Sequence, residues 1–200
     1  MLFSIVTPSF RQLDWLTLCA ASIADQGVGV EHLVQDAGSA GIEAWIAQHP
    51  GVKVCVEKDD GMYDAINRGL SRASGDILAY LNCDEQYLPG TLQKVAAFFD
   101  EHPEVDMLFG DALLVDPTGA PLSYRRIVFP GRLHTRYCHL GIWSCAMFFR
   151  RKVWDQGLQF SSKYRAIGDA VFVEEALTRE FPTAVLPLPL AVFALPGAAS

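Results

Sequence analysis

Residues Glu57–Glu85 read EKDDGMYDAINRGLSRASGDILAYLNCDE, and the order of elements inside this stretch decides the fold. Met62–Ala73 has helical spacing and is rich in polar groups, the Gly75-Asp76 step breaks it, and Ile77–Leu81 is an apolar run of strand length. That run empties into Asn82, Cys83 and Asp84. A carboxylate delivered at the C-terminal end of a buried strand stands where open α/β sheets bind ligands. Asp84 is therefore a candidate metal ligand.

Outward from this stretch, periodicity predicts strand Phe3–Thr7, helix Asp14–Gln26, strand His32–Gln35, helix Gly41–Gln48 and strand Val52–Glu57. Strands alternating with helices imply an α/β fold with a mainly parallel central sheet flanked by helices. Beyond Asp84, Pro89-Gly90 opens a helix over Thr91–His102, followed by a strand at Met107–Gly110. The turn Asp116-Pro-Thr-Gly119 joins Leu113–Val115 to Leu122–Tyr124 as a hairpin, and a last helix is expected over Val171–Glu180.

Half of the 200 residues are apolar and a fifth are charged, which suits one domain with a substantial core. A net charge of −7 argues against a bulk nucleic-acid binder, since phosphate backbones are gripped by clustered Lys and Arg. Five cysteines without a CxxC pair fit a reducing compartment, so the protein reads as cytoplasmic. Met1 leads directly into the first strand, without a basic leader or a small-residue cleavage site. The longest apolar stretch, Ala184–Leu195, is broken by Pro187 and Pro189 and is too short to cross a bilayer of roughly 30 Å as a helix. The end at Pro196-Gly-Ala-Ala-Ser, with no closing amphipathic helix, is compatible with a catalytic core drawn from a longer polypeptide.

The pieces SIVTPSF, VQDAGS, EKDDGMYDAINRGL, ASGDILAYLNCDE, AMFFRRKVW and IGDAVFVEEAL, with a helix ending at Gln26, resemble in order and over nearly the whole chain the inverting family-two glycosyltransferases. The resemblance is to the bacterial surface-polysaccharide type. It implies the GT-A (nucleotide-diphospho-sugar transferase) fold, with residues 1–111 as the nucleotide-sugar-binding half and 112–200 as the acceptor-binding half. It further implies metal-dependent transfer of a hexosyl-type sugar from a nucleotide-sugar donor, UDP-linked in this reading, to a glycan or lipid-linked acceptor. The work would be done in the cytoplasm or at the inner face of the cell membrane, with any peripheral membrane association through regions outside this chain.

The resemblance assigns Thr7, Pro8 and Ser9, at the exit of the first strand, to the nucleotide base and ribose; a plain strand-to-helix turn is the alternative. Asp36 is suited to accept an imide N–H of the base, or to cap the turn Ala37-Gly-Ser. Asp60 and Gly61 precede a helix whose N-terminus offers free N–H groups to anions. Asp60, Tyr63, Asp64 and Asn67 are spaced so that polar groups share a face; alternatively Asp60 is an N-cap and Asp64 a solvated charge. Arg68 reads as a surface arginine.

Asn82-Cys83-Asp84 takes the place of the family's Asp-x-Asp motif. Asp84 would hold Mn²⁺ or Mg²⁺ beside the diphosphate, Asn82 would hydrogen-bond ribose or phosphate, and Glu85 would reach the cation through a water. A turn after a strand is the bland account of Asp84. Asp169, ahead of the last helix, matches the family's general base, the group an inverting transfer needs opposite the leaving diphosphate; an N-cap aspartate is the alternative.

The chain departs from the family at Ser144-Cys145, where His-Gln is common, and at Ala37, where Gly is common. Cys138, His139 and Cys145 lack the paired spacing of a zinc site. Trp143, Phe148 and Trp154 are suited to core packing or to stacking on an acceptor. A dinucleotide oxidoreductase would need GxGxxG, which is missing. A sugar nucleotidyltransferase would carry a Gly-rich basic loop where this chain has TPSFRQ. A non-catalytic glycan-binding module stays as the rival, because Asn82 replaces an acid.

Overall fold

The computed structural model describes residues 1–138 and 140–195. Strands β1 (Phe3–Ser9), β2 (Val30–Asp36), β3 (Lys53–Val56) and β4 (Ile77–Tyr80) alternate with helices α1 (Leu13–Ala24), α2 (Ile42–Gln48) and α3 (Met62–Ser71). After β4 come β5 (Glu85–Tyr87), α4 (Thr91–Glu101), β6 (Met107–Val115), β7 (Pro121–Arg125), α5 (Arg132–Tyr137), β8 (Met147–Arg150), α6 (Arg151–Asp155), α7 (Gly168–Thr178) and β9 (Thr183–Ala194). The sheet runs β3-β2-β1-β4-β8-β6-β9-β5, with β7 paired to β6.

The parallel order expected of the sheet holds from β3 to β4. Beyond that the sheet is mixed: β8 is antiparallel to both β4 and β6, β5 is antiparallel to β9, and β6 runs parallel to β9. Parallel neighbours need a long crossover, and β6 and β7 are joined only by the tight Asp116–Gly119 turn, so they must run antiparallel. The hairpin therefore forms where the sequence placed it. The strand read as ending at Gly110 instead continues to Val115 through two register shifts beside β9.

The apolar run with two prolines is β9. Its register jumps from Leu186 to Pro189 opposite Gly110 and Asp111, so the prolines sit at a bulge, where a missing N–H costs the ladder least. Helices cover both faces. α1 and α4 place Cys19, Ile23, Leu92, Val95 and Phe99 in one core, and α3 and α7 place Ile66, Leu70, Phe172 and Val173 in the other. Phe148 is buried, and Trp143 and Trp154 pack partly buried on these cores, so all three aromatics have packing roles.

α3 lies unusually close to β1. A Cβ on Gly69 would stand 2.3 Å from Val6 Cγ1, so only glycine allows this approach. At the N-terminal ends of the strands, buried Glu31 accepts bonds from Ser4 Oγ (2.5 Å), Lys53 Nζ (2.7 Å) and the backbone and hydroxyl of Ser74 (2.7 and 2.9 Å). Burial pushes that carboxyl up, but these bonds outweigh it and hold it at about 2. The N-terminal end is thereby tied together, and the opposite, C-terminal end is where the chain opens. Among the described residues no helix is long and apolar enough to cross a membrane.

Candidate active site

An open cleft of about 1030 Å³ lies at the C-terminal ends of β1 and β4 and along the first turn of α3. Its acidic wall is Asp59, Asp60, Asp64 and Asp84, and its cations are Lys58, Lys163 and Arg165. Both signs of charge therefore converge on one concave surface, as a diphosphate with a cation would require.

At the exit of β1, Pro8 and Ser9 line the cleft, whereas Thr7 does not. The Thr7 hydroxyl is fully buried and meets His32 Nε2 at 2.9 Å and Cys19 Sγ at 3.6 Å. Thr7 points to the α1 face, against Cys19, and Pro8 to the opposite one; Ser9 shares the face of Thr7 but stands at the strand's end, where the cleft opens. Asp36 is also fully buried. Its Oδ1 accepts from the N–H groups of Gly38 (2.9 Å) and Ser39 (2.6 Å), and its Oδ2 accepts from the hydroxyls of Ser9 (2.7 Å) and Ser39 (2.8 Å). Four bonds fill the roughly four lone-pair sites of a carboxylate. The geometry thus gives Asp36 the turn-holding role, and Ala37 of that turn faces the cleft.

On α3 the polar residues divide. Asp60, Tyr63 and Asp64 line the cleft. Asp64 accepts from the Asp60 N–H (3.0 Å), which holds its carboxyl below the ordinary range, and it pairs with Arg68 (2.9 Å). Arg68 also reaches Glu57 at 3.1 Å, so it is engaged on the surface. Asn67 points away from the cleft. Its amide donates to the Phe160 carbonyl (2.7 Å) and accepts from the Phe160 N–H (3.0 Å), imitating a strand neighbour. This clamp fixes the chain just ahead of Ser162–Arg165, which closes the cleft. Asn67→Ala should cost about 1–3 kcal/mol through the two groups it leaves unpaired. Thermal melting should therefore fall together with nucleotide affinity. Lost affinity at unchanged melting temperature would instead make Asn67 a direct ligand contact.

Cys83 turns inward, 1% exposed, with Sγ 3.2 Å from the Pro8 carbonyl; burial pushes its thiol up to about 12. It braces β4 against β1 and offers the cleft little beyond its backbone. Glu85, on β5, is 1% exposed and accepts from the Asn82 N–H at 2.8 Å. Burial and the neighbouring Asp84 and Asp169 charges push its carboxyl up to about 8 against that bond. It locks the 82–85 turn from inside, which is a different place from the water-linked position expected of it.

Asp84 is half-buried in the cleft wall, and burial raises its carboxyl above the ordinary aspartate range with no cationic side chain offsetting it. Asn82 Oδ1, in the same wall, is buried without a hydrogen-bond partner. An uncompensated carboxylate beside an orphaned amide oxygen fits a hard divalent cation that takes few protein ligands and completes its shell with phosphate and water. Among the described residues no group of three or more His, Cys, Asp or Glu is poised around a metal. The fit is to a shared site and not to an all-protein cage.

Asp169 lies in the first turn of α7, inside the helix and not at its N-cap, which is Ile167. Its Oδ1 accepts from Tyr63 O–H at 3.2 Å and from the Ala170 N–H at 2.8 Å. Burial raises its carboxyl, and these two bonds oppose the rise. Gly168 makes the Tyr63 contact possible, because a Cβ there would sit 2.5 Å from the Tyr63 ring. Tyr63 therefore joins the cleft wall to Asp169 across 106 residues of chain.

Three features were missed in the sequence. Phe10, 49% exposed, borders the cleft with the Arg11 guanidinium 4.6 Å above its ring. Arg11 itself holds a left-handed φ of 58°, and its N–H bonds Ser39 Oγ at 2.6 Å. Asp59 lines the cleft and accepts from Gly61 N–H at 3.0 Å. Ser162–Arg165 brings Lys163, Tyr164 and Arg165 to the opening; a cationic and aromatic cluster just ahead of IGDA was the available signal. Of the zinc candidates, Cys145 is in the core, Cys138 is exposed, and His139 lies outside the described residues.

Comparison with known proteins gives the family and the fold. The sequence profile of the family described as Glycosyl transferase family 2 matches residues 4–158. A PGL/p-HBAD biosynthesis glycosyltransferase of Mycobacterium tuberculosis is 31% identical over 179 residues, covering 84% of this chain and 66% of that protein. The amylovoran biosynthesis glycosyltransferase AmsE of Erwinia amylovora is 26% identical over 155 residues, covering 71% of this chain and 57% of that protein. Among solved structures, S. aureus TarS 1-349 in complex with UDP superposes with a TM-score of 0.78 at 20% identity, covering 98% of this chain and 61% of that one. The mannosyltransferase PcManGT from Pyrobaculum calidifontis, in complex with GDP-Man and Mn²⁺, gives 0.72 at 16% identity, covering 98% and 58%. At such identities the likeness speaks to the fold, which is GT-A. The chain spans less than two thirds of the length of these relatives.

Proposed function

The chain belongs to glycosyl transferase family 2, and from that premise we propose that it moves a sugar, with inversion, from a UDP-sugar to a glycan or lipid-linked acceptor. The observation that carries this reading is the pair of partly buried carboxylates: Asp84 in the cleft wall at the β4 exit, and Asp169 reached through Tyr63. Burial raises both, and the two stand in different polar settings, which suits two separate roles.

In this reading Asp169 takes the proton from an acceptor hydroxyl as its oxygen attacks the anomeric carbon. The bond to the diphosphate breaks on the opposite face and its electron pair leaves on the phosphate oxygen, so configuration inverts. Asp84, with Asn82 Oδ1 beside it, would hold Mn²⁺ or Mg²⁺, whose chemistry there is Lewis-acid neutralisation of the leaving charge. Lys163 and Arg165 add positive charge to the lining of the cleft. Pro8, Ser9, Phe10 and the turn organised by Asp36 form the base end, so Asp36 acts through the shell it orders. Residues 1–111 supply most of the donor wall, and 112–200 supply the closing loop, Asp169 and the acceptor side.

A panel of nucleotide sugars, scored for Mn²⁺-dependent binding and slow donor hydrolysis, tests the proposal. Binding and turnover of one uridine donor are expected. Binding without any turnover, with or without acceptor, would favour the non-catalytic glycan-binding reading. Equal affinity for uridine, guanosine and adenosine donors would remove the assignment of the base.

A further inference from the structure

The four most exposed large apolar side chains among the described residues lie within ten positions of one another: Tyr137 (74%), Leu133 (69%), Phe129 (59%) and Val128 (57%). They are set in a charge field unlike the rest of the chain. From residue 117 to residue 138 there is no aspartate or glutamate, and Arg125, Arg126, Arg132 and Arg136 are all exposed, in a protein of net charge −7. The segment is held in place. Asp111, 1% exposed, accepts from the Tyr124 hydroxyl and from the Ile127 N–H (2.7 Å), Val128 N–H bonds the Gly141 carbonyl (3.2 Å), and Arg136 pairs with Glu174 of α7 at 3.6 Å. An apolar surface with an excess of cations, Arg125, Arg126 and Arg132 among them, is therefore presented outward.

We propose that residues 125–137 form a docking face for an anionic phospholipid bilayer. Charge complementarity selects this occupant. An acidic protein is repelled by an anionic surface everywhere except where a patch with an excess of cations faces it, so the patch sets orientation as well as affinity. Leucine, phenylalanine and tyrosine beside arginine suit an interface where rings and methyls enter the acyl boundary while guanidinium groups stay among phosphates. α5 packs against α7 through Arg136 and Glu174, and α7 carries Asp169 in its first turn. Docking would thus hold the acceptor side of the cleft at a fixed height over the bilayer. The inference does not depend on which donor is used, and the membrane contact lies inside this chain.

The experiment is co-sedimentation of the protein with phosphatidylcholine vesicles, and with vesicles containing about 30% phosphatidylglycerol, at low and high salt. Binding is expected on the anionic vesicles only, weakening as salt rises. Arg126→Ala with Arg132→Ala should lower partitioning about tenfold or more. Leu133→Ser with Tyr137→Ser should lower it independently. Leu18→Ser, at an apolar side chain 49% exposed on helix α1 and outside the patch, should leave it unchanged. UDP affinity of all variants should match the parent, since none of these residues lines the cleft. Partitioning no greater on anionic than on neutral vesicles, or retained by both double variants, would overturn the proposal. So would a dimer in solution that Leu133→Ser with Tyr137→Ser dissolves, which would make a second copy the occupant.

Discussion

Asp169→Asn is expected to lower turnover by about 10²–10⁴-fold, the range of a general-base contribution, while donor affinity stays within a factor of two or so. The substitution is conservative in shape. Asn keeps an oxygen that accepts from Tyr63 O–H and Ala170 N–H, the two bonds that place the side chain. What it lacks is a basic lone pair. The loss of a negative charge from the first turn of α7 should cost only about 0.3–1 kcal/mol of stability, so the melting temperature should move little. The pH profile adds a second readout. Base catalysis needs the ionised carboxylate, and burial raises the Asp169 carboxyl above the ordinary range. Activity should therefore fall as pH drops through that raised value, at a higher pH than an exposed aspartate would give. Tyr63→Phe removes a bond that stabilises the charged form, so it should move this acid limb upward again. Transfer rates and pH profiles of the two variants, beside their melting temperatures, check the assignment. Retained turnover in Asp169→Asn would leave Asp169 a structural residue and send the search for a base to Glu174 or Glu175.

The first half of the fold was legible because each element there carries its own local signal. β1, β2 and β4 are short, mostly apolar runs of strand length set between breakers, α1 and α3 have helical spacing, and strand-then-helix order implies a parallel sheet. The second half depends on distant partners. β8 is four residues long, three apolar residues and Arg150, which suits a strand or a buried helix equally until β4 and β6 are seen on either side of it. β9 contains two prolines that argue against a strand unless the bulge opposite Gly110 is known.

The site was legible as position and less so as role. Sequence spacing placed Asp60, Asp64, Asn82 and Asp84 on the cleft, because strand exits and helix N-termini are fixed by the fold class. It could not say which way Thr7 and Asn67 point, since those directions follow from the sheet register and from Phe160, 93 residues away. Nor could it tell a carboxylate free to bind a ligand from one saturated by its own turn. Asp36 and Asp84 occupy similar sequence settings after apolar strands, yet one accepts four protein hydrogen bonds and the other is left uncompensated.

That difference between the two aspartates is what makes Asp84→Ala the sharper test of the donor site. Burying a carboxylate without a cation is costly, and such groups either stay protonated or recruit a positive charge. Arg68 and Lys53, neither of which lines the cleft, are engaged with other carboxylates, and the cations that line it, Lys58, Lys163 and Arg165, do not offset the half-buried Asp84 carboxyl. A divalent ion shared with the diphosphate would supply the missing charge. If it does, Asp84→Ala should abolish the Mn²⁺-dependent part of UDP affinity and leave the metal-free part nearly as it was. Turnover should drop by about 10²–10³-fold, the scale on which a group aimed at developing charge is felt. Calorimetric titration of UDP into parent and variant, with Mn²⁺ and again with chelator, separates the two contributions. Asn82→Asp supplies the converse, because a second acid beside Asp84 should strengthen metal-dependent binding if both face the same ion, and should weaken diphosphate binding if they do not. Metal-dependent affinity that survives Asp84→Ala unchanged would remove Asp84 from the site and move the cation, if there is one, toward Asp59 and Asp60 at the head of α3.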